Sequence, residues 1–107
     1  MSQHSYPAMS AGRPVRIVMG YDRALRGFYL LVERADDADG GFLYCNLDDP
    51  ALADCLGLPA TLGYFVGKLR ALGLPIWQSV LDAVQADRRN QVGNRDVRYD
   101  ANGQVLG

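Results

Sequence analysis

Hydrophobic and polar positions first alternate, then switch period, along this chain. In "VRIVMGYD", Val15, Ile17, Met19 and Tyr21 alternate with Arg16, Val18, Gly20 and Asp22. That is the period of a strand, and Val18 implies a second face that is partly covered too. "GFYLLVER" at 27–34 and "FLYCNL" at 42–47 are rich in aromatic and branched residues and read as two more strands. The links at 22–27 and 35–41 ("ADDADGG") are short. Parallel neighbours would need a crossover of about a dozen residues, so the pattern predicts an antiparallel meander.

The period then lengthens. "DDPALADCLG" predicts a helical turn, with Asp49 capping, Pro50 at the first position and Gly57 ending it. Leu62, Phe65, Val66 and Leu69 fall at i, i+3, i+4 and i+7, one apolar stripe of a helix. Gly73 suits its left-handed end, Leu74 the contact after it, and Pro75 stops the helix and starts the next. Trp77, Val80, Leu81 and Val84 repeat the spacing, and Arg88 and Arg89 complement the dipole at the second helix's end. "VRYDANGQVL" predicts a hairpin, with Asp100 to Gly103 as a type I turn closed by glycine. The expected class is α+β: an antiparallel sheet in β-β-β-α-α-β-β order, with two helices packed on one face.

Length sets one domain for the 107 residues. Residues 1–14, "MSQHSYPAMSAGRP", mix Ser, Pro, Gly and Ala and read as a disordered N-terminal tail. That leaves 15–107 as the single α+β domain. The tail has no apolar signal region, so a cytoplasmic protein is expected, with Cys45 and Cys55 as free, structurally buried thiols. No run reaches the roughly 18 apolar residues of a membrane span. The net charge of -1 supplies no global field for nucleic acid or anionic membrane.

Candidate chemistry is sparse. The one histidine, His4, lies in the expected tail, which excludes His-based nucleophilic catalysis in the folded part. The cysteines match no zinc spacing, and no cofactor or metal site is expected. The acidic pairs at 36–39 and 48–49 read as loops and caps, and "DADGG" places its glycine too early for a calcium loop. "GYFVGKL" at 63–69 lacks the spacing of a phosphate loop, so Gly63 and Gly67 are expected to permit close helix packing. Arg88, Arg89, Arg95 and Arg98 look basic. With Asp87, Asp96 and Asp100 among them, the segment 86–100 nets only +1, which argues against nucleic acid. Trp77, Tyr64, Tyr44, Tyr29 and Tyr21 are residue types of interface hot spots, though each also suits a core.

"MGYDR" at 19–23, "NLDDP" at 46–50 and "DRRNQVGNR" at 87–95 together resemble a family of short uncharacterised proteobacterial proteins, some associated with conjugative or integrative elements. The resemblance implies a cytoplasmic bacterial protein and brings no catalytic residues. The leading expectation is a non-catalytic accessory or protein-interaction module, binding another protein or itself. Its surface would be the loops 22–26, 46–50 and 87–95 brought together, with Asp22, Arg23, Asn46, Asp48, Arg88, Asn94 and Arg95 as the polar recognition residues. The alternative is a small-anion binder or hydrolase, with Arg23 and Arg95 clamping a phosphate or carboxylate and Asp48 as base. A weak nucleic-acid binder is the third reading.

Overall fold

The computed structural model describes residues 1–36 and 41–106. Five strands, β1 (Ser2–Ser10), β2 (Arg13–Asp22), β3 (Gly27–Arg34), β4 (Phe42–Cys45) and β5 (Arg95–Arg98), form one sheet in the order β4-β3-β2-β1-β5. Between β4 and β5 come two 3-10 helices, Asn46–Asp48 and Pro50–Cys55, then α1 (Gly63–Ala71) and α2 (Gln78–Arg89). The class is α+β. Three pairings are antiparallel, and β5 lies parallel to β1, which it can reach only because the rest of the fold forms its crossover.

The meander at 15–45 appears as expected. The N-terminal segment is the main correction. Residues expected as a tail form β1, which sits inside the sheet between β2 and β5. Its composition looks like a linker, yet Ser2, His4 and Tyr6 alternate onto the helix side, opposite Tyr21, Met19 and Ile17 of β2. Pairing on both sides compensates for its low apolar content. Pro7 is tolerated because β5 stops short of it. Tyr99 N–H donates to the Ser5 carbonyl, so the odd residues of β1 direct their backbone toward β5, and Pro7's missing N–H falls on a side with no strand.

The core lies between the sheet and the helices. Ile17, Met19, Leu30 and Val32 meet Phe65 and Leu69 of α1 and Val80 and Val84 of α2 in one cluster, so both helices cover the same face. Gly73 ends α1 at φ 71, and Leu74 N–H returns to the Leu69 carbonyl, as predicted. The second helix starts at Gln78 rather than Pro75, because Trp77 is still extended. The C-terminal turn closes on Asp100 and Gly103 as predicted, but its return strand shrinks to a single bridge between Tyr99 and Val105, while β5 joins the main sheet. Cys45 is half-buried, and Cys55 is exposed rather than buried, at the end of a 3-10 turn facing solvent.

Glycine positions divide sharply. A Cβ at Gly20 would meet the Ser2 carbonyl oxygen at 2.0 Å and the Tyr29 hydroxyl at 2.7 Å. The bare backbone there lets Tyr29 lie across β2 and donate to that carbonyl at 2.5 Å, so burial pushes its hydroxyl up to about 12. At Gly63 and Gly67 nothing lies within 4 Å, so the close packing expected of them is absent. Gly67→Ala is therefore expected to raise stability by about 1 kcal/mol through helix propensity alone. Gly20→Ala should lower it by about 1–3 kcal/mol through overpacking. Urea unfolding of both variants checks the opposite signs.

Candidate functional site

Three clusters of side chains deserve comparison, and the most buried contains the residue assigned to the tail. His4 is wholly buried on the helix side of β1. Its Nε2 meets Asp87 Oδ2 at 2.5 Å and its Nδ1 meets the Tyr99 hydroxyl at 2.8 Å. Asp87 is wholly buried on α2, and its Oδ1 accepts from the Arg95 guanidinium at 2.9 Å. One tautomer satisfies every contact: Nε2–H donates to the carboxylate and Nδ1 accepts from Tyr99. Burial raises the Tyr99 pKa, which keeps the hydroxyl a donor.

Burial also pushes the Asp87 carboxyl up, but hydrogen bonds from His4, Ser2 and Arg95 pull it down by more. The group is ionised and held by donors from β1 and β5. The order Tyr-His-Asp resembles a nucleophile-base-carboxylate relay. It does not work as one, because Tyr99 is 3 % exposed, resists deprotonation and turns its hydroxyl inward. The relay is a clamp on β1.

The second cluster surrounds Asp49. Tyr44 and Tyr64 both donate to its Oδ2 at 2.7 Å, and its Oδ1 caps the 3-10 helix through Ala51 N–H at 3.0 Å. Lys68 lies 3.9 Å from Oδ2 and over both rings, 5.4 and 5.6 Å from their centroids. The tyrosine hydrogen bonds hold the Asp49 carboxyl low. Burial, then its bond to Asp49, raises Tyr44, and Tyr64 is raised first by its own bond to Asp49. A pocket of about 340 Å³ beside it is lined by Phe42, Cys45, Asp48 and Lys68. The acceptor and both phenols are already committed to each other, which fits a fastener between β4, the 3-10 turn and α1.

The third feature is a groove of about 670 Å³ along the half of β1 that β5 leaves open. Its walls are apolar, from Pro7, Ala8, Met9, Pro14 and Val15 on one side to Ala101 and Leu106 on the other. Arg16 and Arg98 stand at its rim.

The sequence-predicted recognition residues are spread along one end of the sheet, where β2 and β4 finish and β1, β3 and β5 begin. Loops 22–26 and 87–95 meet: Arg23 donates to the Gln91 carbonyl at 3.3 Å and lies over Gly93. The segment 46–50 follows β4 at the far edge of the sheet, and among the described residues no hydrogen bond or ion pair joins it to either loop. Most of the seven have local duties. Asp22 accepts from Leu25 N–H and shapes its turn, and buried Asn46 donates to the Gly57 carbonyl at 2.7 Å. Asn94 accepts from the Met1 amine at 3.3 Å, and Arg95 serves Asp87. Arg88 and Asp48 are exposed. Asp37 and Asp39 of the acidic loop, and most of "DADGG", lie outside the described residues.

Sequence reasoning missed His4, Asp87 and Tyr99 as a unit. A signal existed: Val80, Val84 and Asp87 stand at i, i+4 and i+7, so a carboxylate continues the core stripe of α2. Among the described residues, no group of three or more His, Cys, Asp or Glu could hold a metal ion. No described helix is long and apolar enough to cross a membrane. Comparison with protein-family models, curated proteins and solved structures finds no match for the chain.

Removing the Asp87 charge leaves His4 and Arg95 donors facing an amide, and breaking a buried pair costs about 3–5 kcal/mol. Asp87→Asn is expected to lose that much in urea unfolding at neutral pH. Because the folded pKa of Asp87 is depressed, its contribution is complete above the unfolded value of about 3.9 and is lost as pH falls through the folded value. Wild-type stability should therefore fall below about pH 4 more steeply than that of the variant.

Proposed function

We propose that this protein is a non-catalytic interaction module whose docking surface is the open half of the β1 edge. One observation carries the reading: a concavity of about 670 Å³ is apolar and runs along a side of β1 that no described strand pairs beyond Ser5. Met9 and Leu106 in its lining are exposed by 58 % and 66 %, which puts apolar surface where a partner would cover it. The polar groups with catalytic character are closed to substrate, since His4 and Asp87 are wholly buried. Arg23 and Arg95, expected to clamp an anion, hold the Gln91 carbonyl and Asp87 instead, and Asp48 stands at the other sheet edge. That favours interaction over an anion-processing site.

A photo-cross-linking residue placed at Met9 and, separately, at exposed Leu47 tests the reading in the native cell. The expected result is a discrete adduct with a protein from Met9 and none from Leu47. Adducts from Leu47 alone, or from neither position, contradict the docking surface.

A further inference from the structure

We infer that the groove takes a short extended peptide segment, apolar on alternate positions and carrying one acidic residue, as an added strand against β1; this rests on the interaction reading above. β5 pairs with Ser2 to Ser5 and then turns away at Tyr99, so the place beside Pro7 to Ser10 is where a sixth strand would lie. The odd residues of β1 face that side, which leaves the Pro7 carbonyl and the Met9 N–H and carbonyl to pair with a guest. Main-chain pairing of this kind supplies affinity, and pockets for alternate side chains supply specificity. Four residues of strand span about 13 Å, which limits the guest to about four or five residues. Pro7 removes one donor from the edge, a device that discourages indiscriminate pairing while leaving a short, defined stretch.

Charge selects the guest. Arg16 and Arg98 stand at the rim, and among the described lining residues Asp100 is the one carboxylate. That carboxylate is turned into its own loop, where it accepts from Asn102 N–H at 2.8 Å and Gln104 N–H at 3.0 Å. Arg16 is shared with Glu33 and Ser5, whereas Arg98 makes no salt bridge among the described residues. An acidic side chain on the guest would give Arg98 a bidentate partner. A second copy of the chain suits the site less well. A two-fold pairing of β1 edges is isologous and would bring the same net-positive rim against itself.

The test is selection of phage-displayed random heptapeptides on the full chain, on Arg98→Glu, and on Met9→Glu. Both substituted residues are exposed, so the fold should persist, and circular dichroism checks it. The expected result is enrichment on the wild type of alternating Val, Ile or Leu with one Asp or Glu. Selected peptides should bind at least tenfold more weakly when the acid becomes lysine, Arg98→Glu should reverse that preference, and Met9→Glu should abolish enrichment. Enriched peptides without an acidic preference overturn the guest assigned here and leave the interaction reading standing. No enrichment, with sedimentation showing a dimer that Met9→Glu dissolves, assigns the groove to a second copy and overturns the peptide. No enrichment and no dimer overturns both.

Discussion

A carboxylate taken out of water must be answered by donors, and Asp87 draws its donors from segments far apart in the chain. His4 comes from β1 and Arg95 from β5, so one buried charge joins the first strand, the last strand and the second helix. The energetic weight lies in what happens when a partner leaves, since an unpaired buried charge costs several kcal/mol. Apolar burial alone would not specify this arrangement. β1 offers only His4, Tyr6 and small residues to the core, and a strand so poor in apolar groups needs directional contacts to hold its register. Ser2 adds to the hold through its hydroxyl, which accepts from Tyr21 N–H, and its carbonyl, which accepts from Tyr29. Tyr6 reaches over to the Pro75 carbonyl and ties the strand to the link between the helices.

Fixing β1 at that position has a consequence at its other end. β5 is short because the chain must turn at Asp100, so it covers only the first half of β1. Among the described residues the second half keeps one side of its backbone unpaired, beside an apolar groove with arginines at its rim. The clamp and the groove therefore belong to one design. The clamp holds β1 rigid from within, and rigid, pre-formed edges lose less entropy on accepting an extended guest than mobile ones do.

The central meander and both helices were legible because their apolar residues repeat with clear periods of 2 and 3.6, and Gly73 and Asp49 mark ends by local chemistry. β1 was not, because "SQHSYPAMS" carries its alternation in serine, histidine and tyrosine, whose burial is justified only by partners elsewhere in the chain. Pro7 added to the misreading, since proline within a run argues against a central strand until the partner strand is seen to stop before it. Asp87 lies within a compensated basic segment, and only its place on the apolar stripe of α2 signals burial. Of the expected recognition loops, two meet through Arg23 and Gln91, and the third is separated by strand order, which no local pattern encodes.

Native-state hydrogen exchange tests the central claim most directly, by comparing amides of Ser2 to Tyr6 in β1 with those of Leu30 and Val32 in β3. If the buried Asp87 network makes the first strand integral to the fold, both sets exchange only through global unfolding, with the same opening free energy and the same urea dependence. If β1 amides exchange through a small, urea-independent opening while Leu30 and Val32 stay protected, the segment is a loosely docked tail and the account is contradicted.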